Sequence, residues 1–305
     1  MSRPPRPTQE QVEKRCGHLE IGPKPRFMDL ARWCTVADVP NQTLVEVESY
    51  VCHRAISAPV IDGDLTKEMW VSANWSKPLG HICDGIRSGH ESRVALLWDD
   101  DYLYAAFKLR DPDIRAQTTR HHEQVYVLDD DAEFFLEFDG GYYELGVNAI
   151  NTVYEFNWTW IDQLIEDKDW EAIEELLKTP DYLYYTRRSS EILGRIGNRD
   201  FDLPGLKHAV TVDGSINNPG HEDFGWCAEF ALPWASLNAL SRTNLFPPSL
   251  GDTIRAQAYR VQHDWSHSGD KSHAAAPVSE GYTWSVMGNS NVHNPERWTR
   301  VTFKG

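Results

Sequence analysis

The chain has too few cysteines, spaced too widely, for a zinc or redox motif. Five cysteines occur, at positions 16, 34, 52, 83 and 227, and no Cys-x-x-Cys pair is present. This odd number of scattered cysteines favours reduced, mostly buried thiols. A disulfide among Cys16, Cys34 and Cys52 is the alternative.

Long apolar runs and an excess of positive charge are also absent. No stretch approaches the roughly 20 apolar residues that a membrane helix needs. Thirty basic against 46 acidic residues give a formal net charge of −16, which disfavours nucleic acid and anionic membranes as partners. The segment Met1–Thr8 lacks the apolar centre of a signal peptide. We therefore expect a cytoplasmic protein, or a secreted or periplasmic one if a leader was removed.

Signatures of common enzyme classes are missing as well. The sequence has no G-x-S-x-G elbow, no P-loop and no H-E-x-x-H pair. These absences favour a protein without catalytic activity. A glycosidase or lyase is the alternative, because such enzymes use two carboxylates and one predicted hairpin supplies Glu133, Glu137 and Glu144.

Short runs of alternating apolar and polar residues dominate the chain from Tyr50 onward. Turn signals such as Asp139-Gly140-Gly141 separate the runs, a succession typical of a β-sandwich or jelly roll. With 305 residues and 41% apolar content, the chain can bury a full core. We predict an all-β fold, an antiparallel β-sandwich of jelly-roll type, with strands over Ser92–Trp98, Tyr102–Lys108, Ala132–Phe138, Tyr142–Ile150, Gly225–Leu232, Thr253–Val261, Tyr282–Val286 and Trp298–Phe303.

Three segments depart from this pattern. Residues 1–48 are rich in proline and charge, and we expect an N-terminal arm that packs on the sandwich formed by residues 49–305. Within the sandwich, apolar residues at helical spacing predict an amphipathic insertion at about 158–180. A long loop is expected to follow over Arg187–Leu206.

The clearest strand pattern forms a hairpin that ends near Asn148. In its first strand Phe134 and Leu136 alternate with Glu133 and Glu137, so one face is apolar and the other polar. We expect the polar face to be open to water. Carboxylates, an amide and an aromatic ring on a rigid sheet would suit a neutral polyhydroxyl ligand.

Five phrases along the chain occur in an order that resembles a known family. They are Pro59–Leu65 with Trp70, Val94–Tyr104, Asp130–Asn148, Gly225–Trp234, and Trp284–Phe303 with its His293-Asn-Pro-Glu296. In this order they resemble the family 9 carbohydrate-binding module, and more closely the family 9-like single-domain proteins of bacteria. The resemblance runs from Tyr50 to Phe303.

The resemblance implies a β-sandwich with a concave sheet, structural calcium, and a slot that holds the end of a sugar chain. In the family, two tryptophans sandwich the sugar ring while polar side chains bond its hydroxyls. The sheet glutamate of the family matches Glu133, and its asparagine after the penultimate strand matches Asn289.

Half of the family's sugar-contacting set is replaced here. The two clamp tryptophans align near Val127 and Val292, the arginine aligns with Gly146, and the glutamine aligns near Tyr259. These departures concern the sugar contacts and leave the expected fold intact. The aromatic residues that could replace the clamp are Tyr126, Phe135, Tyr259 and Trp265.

We predict non-catalytic recognition of a saccharide on the concave sheet face, in support of polysaccharide catabolism. Glu133, Asn148 and Asn289 would bond hydroxyls. Tyr259 and Trp265 would form a stacking platform, with Arg260 as a bidentate clamp. A protein-interaction module that has lost sugar binding is an alternative, motivated by the insertion and the arm. The oligomeric state is left open.

Metal binding is considered at three places. Asp99, Asp101, Asp129 and Asp130 offer oxygen ligands to Ca²⁺ but fit no EF-hand loop, and they also suit tight turns. The run His263–His273 holds three histidines and two aspartates, and His121-His122-Glu123 holds a further pair. Neither histidine group matches a known zinc spacing.

The tryptophans fall into two groups by sequence context. Those within apolar strand patterns are expected in the core, namely Trp70, Trp98, Trp226, Trp234 and Trp284. Trp158, Trp160 and Trp265 lie among polar residues, and we expect them to be exposed.

Overall fold

The fold is all-β, as the alternation of the sequence predicts. The computed structural model describes residues 46–87, 90–160, 164, 169, 171, 183–188, 191–218, 220–264 and 278–305. The predicted N-terminal arm, most of the helical insertion and Trp265 lie outside this set, so the predictions for them stay untested. No helix among the described residues is long and apolar enough to cross a membrane.

The described residues form fourteen strands and two short α-helices. The strands are β1 Ser49–Arg54, β2 Gly80–His81, β3 Ser92–Trp98, β4 Tyr102–Arg110, β5 Asp131–Phe138, β6 Gly141–Asn148, β7 Val153–Trp160, β8 Leu183–Arg188, β9 Glu191–Asn198, β10 Lys207–Asp213, β11 Gly225–Pro233, β12 Thr253–Asp264, β13 Val278–Thr283 and β14 Thr299–Lys304. The helices are α1 Glu68–Val71 and α2 Trp234–Asn238, and single 3₁₀ turns cover Val125–Val127 and Pro295–Arg297.

The strands join into one curled sheet whose two halves pack face to face. The strand order is β10-β11-β4-β3-β1-β14-β12-β5-β6-β7-β9-β8, with β13 pairing to both β12 and β2. Strand β1 runs parallel to β14 and β3, and the other pairs are antiparallel. Phe107 of β4 and Phe230 of β11 share one buried cluster with Phe134 and Leu145 of the β5–β6 hairpin. This main core lies between the halves, as in a sandwich.

The β5–β6 hairpin has the register that its alternation predicts. Phe138 pairs with Gly141 across the turn, and Gly140 adopts the left-handed φ of 96° that a tight turn needs there. Phe134 and Leu136 face the main core. The opposite side of the hairpin belongs to a second apolar cluster that includes Phe135.

The side chain of Glu229 connects two of the sequence segments that carry the family resemblance, Gly225–Trp234 and Pro59–Leu65 with Trp70. Its buried carboxylate on β11 accepts hydrogen bonds from the backbone N–H groups of Asp62 and Gly63, at 3.1 and 3.0 Å, and from Trp70 Nε1 at 2.7 Å. Lys67 Nζ lies 2.8 Å away and supplies the opposite charge. This carboxylate therefore anchors residues 62–70 of the segment before β2 to the sheet.

Some predictions about the fold are wrong. The expected loop over Arg187–Leu206 contains the end of β8 and all of β9, and β9 extends the sheet by pairing with β7. Trp158 and Trp160 are only 3% and 5% exposed, because β7 turns both rings toward the second cluster. The five tryptophans predicted in the core are buried.

The cysteines differ from the prediction in one respect. Cys52 and Cys227 carry free thiols, as expected. Cys83 is disulfide-bonded, so the expectation of reduced thiols throughout is wrong.

Candidate ligand-binding site

The candidate site lies on the face of β12, β5, β6, β7 and β9 that turns away from the main core. Cross-strand register builds it in rows, because paired residues project from the same face of a sheet. One row runs Tyr259, Glu133, Gly146, Tyr154, and a second runs Tyr142, Trp158. We call the following set the aromatic–acid cluster: Glu133, Tyr142, Glu144, Tyr154, Trp158, Arg195, Tyr259 and His293.

Glycines make room for the rings of Tyr154 and Trp158. A Cβ at Gly146 would lie 2.1 Å from Cε1 of Tyr154, its partner across β6 and β7. A Cβ at Gly197 would lie 2.6 Å from Cζ3 of Trp158. Aromatic rings that cover neighbouring glycines are a known way to fill a sheet face. Gly146 is also the position of the family's arginine, so Tyr154 occupies the space in which an arginine would begin.

Polar contacts tie the second row together. Trp158 Nε1 donates a 2.6 Å hydrogen bond to Glu144 Oε2. His293 Nδ1 lies 3.8 Å from the same oxygen and 3.0 Å from the hydroxyl of Tyr142. Arg195 also donates to the Tyr142 hydroxyl, and its guanidinium carbon lies 4.2 Å from the Trp158 ring centroid. The cluster therefore holds a carboxyl, an imidazole and a stacked guanidinium in contact.

Burial shifts the pKa values of these groups. Desolvation raises the pKa of Glu133 and of Glu144, and the neighbouring carboxylates of Asp131 and Glu133 raise them further. Burial lowers the pKa of His293 and of Arg195. A protonated carboxyl both donates and accepts hydrogen bonds, as does a sugar hydroxyl.

The prediction that this face is open to water is wrong. Glu133 is 4% exposed, Glu144 is 3% exposed and Phe135 is fully buried. Aromatic rings from β7 and β12 cover the carboxyls, and the loop residue Val292 packs with them. The side chain of His293 is 22% exposed, so the cluster contacts solvent at His293.

Glu133 and Tyr259 are the two predicted ligand-binding residues that the structure brings together, as paired residues of β5 and β12. Asn148 is buried beside a turn. Its Nδ2 donates to Thr118 O and to Asp129 Oδ2, and its Oδ1 accepts from two backbone N–H groups. All four hydrogen-bonding positions of the amide are occupied, which leaves none for a ligand.

Arg260 faces the wrong side of the sheet for a ligand clamp. It alternates with Tyr259 along β12, so its side chain enters the space between the two halves. There it is fully buried and pairs with Asp111 at 3.2 Å, while Nη1 donates to Ser92 Oγ and to Arg110 O at 2.8 and 2.7 Å. Arg260 therefore forms a structural ion pair with Asp111 across the sandwich.

Asn289 lies exposed in the segment between β13 and the 3₁₀ turn before β14. Its Oδ1 accepts a 2.8 Å hydrogen bond from the backbone N–H of Asn291, which shapes this segment. Residues on either side of it, Met287 and Val292, pack in the second apolar cluster. Contact between Asn289 and a ligand stays a prediction.

The carboxylates predicted for calcium lie in two separate turns. Asp99 Oδ1 accepts from the N–H groups of Asp101 and Tyr102 at 2.9 and 2.8 Å. Asp129 accepts from Gln117 N and Thr118 N at 2.9 and 3.0 Å. The bonds of Asp99 are those of an aspartate that caps its own turn, whereas Asp129 binds a segment eleven to twelve residues earlier in the chain. Calcium stays a prediction.

Asp130 is the other predicted calcium ligand that lies beside β5. It accepts a 2.6 Å hydrogen bond from His263 N and a 3.1 Å bond from Gln262 Nε2. Burial raises its pKa, and the charge of Asp111 adds to the effect.

An open groove lies in the other half of the sheet. It encloses about 540 Å³ beside β3, β4, β10 and β11 and is lined in part by Arg93, Lys108, Asp213 and Phe224. Phe224 is 65% exposed. The groove has the size of a ligand pocket, but its lining mixes opposite charges and shares no residue with the aromatic–acid cluster.

Comparison with known proteins shows a shared fold. No protein-family model and no curated protein matches the sequence. A candidate carbohydrate-binding protein from Bacteroides uniformis has a similar structure, with a TM-score of 0.52 and 14% identity, over 85% of this chain and all of that one. The predicted resemblance therefore holds at the level of the fold.

Two structures of a family 9 carbohydrate-binding module from Caldicellulosiruptor kristjanssonii have lower scores. The complex with cellotriose has a TM-score of 0.49 and 15% identity, over 85% of this chain and 94% of the module. The complex with glucose has a TM-score of 0.48 and 15% identity, over 84% and 96%.

Sequence reasoning missed five members of the cluster, namely Tyr142, Tyr154, Trp158, Arg195 and His293. A signal for two of them was present, because residues 153–160 read Val-Tyr-Glu-Phe-Asn-Trp-Thr-Trp with an aromatic ring at every second position. Such alternation is typical of a strand with one aromatic face. No comparable pattern marks Arg195 or His293.

Proposed function

We propose that the chain binds a saccharide at the aromatic–acid cluster and does not cleave it. The observation that carries the proposal is the contact between Trp158, Glu144 and Arg195, which joins a ring, a carboxyl and a guanidinium on one rigid sheet. Saccharides need flat apolar partners for their C–H faces and polar partners for their hydroxyls. The shared fold with a candidate carbohydrate-binding protein supports the same function.

The ligand would enter from the side of His293. Its side chain and that of Tyr126 are partly exposed, whereas Glu133 and Glu144 are buried behind them. Tyr126 lies 5.7 Å from Tyr154, measured between ring centroids. A terminal sugar ring would first contact His293, whose Nδ1 lies 3.8 Å from Glu144 Oε2.

Calorimetry against a panel of mono- and oligosaccharides tests the proposal. We expect binding by the wild-type chain and about 5- to 150-fold weaker binding by His293→Ala, since one aromatic face contributes about 1–3 kcal/mol. Glu133→Gln should weaken binding too. Glu137→Gln is the matched control, because Glu137 lies on the same strand but pairs with Arg255 at 3.0 Å. Absence of binding to any sugar, or equal affinity in all variants, contradicts the proposal.

A protein-interaction module is the second candidate function, and the covered sheet face favours it. Val127 and Leu128 follow Tyr126 and are 49% and 44% exposed, so they present apolar surface beside the cluster. A module of this kind should show no heat with any sugar. It should instead form a partner complex or an oligomer in native mass spectrometry that Val127→Asp weakens.

A further inference from the structure

Two consecutive histidines and an aspartate meet outside the aromatic–acid cluster. His121 and His122 lie in the segment between β4 and β5, and Asp202 lies between β9 and β10. The ligand atoms of these three residues all lie within 4.8 Å of one another. Among the described residues this is the one group of three or more potential metal ligands of the His, Cys, Asp and Glu types.

A turn brings the two neighbouring imidazoles to the same side. Consecutive side chains of an extended chain point in opposite directions, but His122 has a left-handed φ of 65°. The N–H of Glu123 bonds to Arg120 O at 3.1 Å and closes the turn, while the N–H of His122 bonds to Val153 O on β7. The ring centroids of His121 and His122 are consequently 4.0 Å apart. Glycine or asparagine is the usual residue with positive φ in such a turn.

The distances suit a tetrahedral metal ion. Zn²⁺ with ligand bonds of about 2.1 Å separates its ligand atoms by about 3.4 Å. His122 Nε2 lies 3.5 Å from Asp202 Oδ1, which matches this spacing directly. His121 Nε2 lies 2.7 Å from the same oxygen, which is less than an ångström shorter than this spacing. The side chains of His121 and Asp202 are 51% and 62% exposed, which allows them to adjust.

Buried groups hold the aspartate loop in place. Glu155 on β7 accepts hydrogen bonds through Oε1 from the hydroxyl of Tyr143 at 2.6 Å and from the N–H of Leu203 at 2.8 Å. Leu203 directly follows Asp202 and is itself buried. Supporting contacts of this kind orient the ligands of metal sites.

We propose that His121, His122 and Asp202 form a binding site for Zn²⁺, with the fourth coordination position open. Two imidazoles and one carboxylate suit a first-row transition metal, whereas Ca²⁺ and Mg²⁺ prefer sites built from oxygen. Three protein ligands with an open position are the usual set where zinc binds water or a further ligand.

Zinc titration of the chelator-treated full chain tests the proposal. We expect one Zn²⁺ per chain by calorimetry, and visible absorption of tetrahedral Co²⁺ when cobalt replaces zinc. Asp202→Asn and His122→Gln should each weaken binding by at least about tenfold, as loss of metal contacts does. Ca²⁺ at equal concentration should not compete.

His221→Gln is the matched control, because His221 also lies beside an aspartate, 3.0 Å from Asp223. This variant should bind zinc like the wild type. Circular dichroism reports whether each variant folds, and the exposed His121→Gln provides a further ligand variant if His122→Gln does not. Absence of zinc binding, or zinc binding equal in folded ligand variants and wild type, overturns the proposal.

Discussion

Replacing Glu229 by alanine should destabilise the whole domain. The carboxylate is fully buried and accepts from Asp62 N, Gly63 N, Trp70 Nε1 and Lys67 Nζ at 2.7 to 3.1 Å. Removing one partner of a buried charged pair costs about 3–5 kcal/mol. Summing the free energies of four separate hydrogen bonds would give a larger cost. Lys67 is partly exposed, however, so its ammonium group can bind water in the variant. A loss of about 3–5 kcal/mol should lower the melting temperature by about 10 °C.

Urea unfolding followed by circular dichroism measures this effect, and hydrogen exchange at the N–H of Gly63 locates it. Glu229→Gln should have a smaller effect, because the amide oxygen can still accept from Trp70 Nε1. Glu137→Ala is the matched control, since its partly exposed ion pair with Arg255 should contribute less than about 1 kcal/mol. If Glu229→Ala is no more destabilising than Glu137→Ala, the carboxylate does not anchor the loop as described.

Three further predictions concern the sheet face and calcium. Because burial raises the pKa of Glu133 and Glu144, the native state binds more protons than the unfolded chain above the ordinary carboxyl pKa of about 4.3. The free energy of unfolding should therefore fall as the pH rises from about 4.3 through the raised pKa values. Urea unfolding at a series of pH values should show a weaker pH dependence for Glu133→Gln than for the wild type. An equal pH dependence contradicts this. Gly146→Ala should cost about 1–3 kcal/mol, because its Cβ would overlap the ring of Tyr154, and a melting temperature equal to wild type would refute the overlap. If the predicted calcium binds, excess Ca²⁺ should raise the melting temperature and EDTA should reverse the rise, whereas equal melting curves count against calcium.

The strands could be predicted where alternation was complete and turns were marked by glycine or aspartate. The hairpin from Asp131 to Asn148 follows its sequence pattern closely, because a one-residue shift would turn Phe134 and Leu136 out of the core. The predicted loop over Arg187–Leu206 was wrong because β9 pairs with both β8 and β7. The pairing with β7 is long-range and is not visible in the local pattern.

The candidate site was harder to predict than the fold. Glu133 was expected in water because carboxylates seldom lie inside proteins, yet the rings of Tyr154 and Tyr259 cover it. The burial of Glu133 depends on which glycine lies opposite each aromatic ring. The register between the strands decides that pairing. The side of Arg260, in contrast, was predictable, because it shares its parity along β12 with the core residues Ala256 and Ala258.

Strand β14 has a consequence for how the chain is made. Along the sheet it alone connects β1 and β3 on one side with β12 and β5 on the other, although it lies at Thr299–Lys304, after every other described strand. During synthesis both half-sheets leave the ribosome before the strand that joins them. Closure of the sandwich therefore requires Thr299–Lys304, and until this segment is made the apolar faces of both halves stay exposed and prone to aggregation.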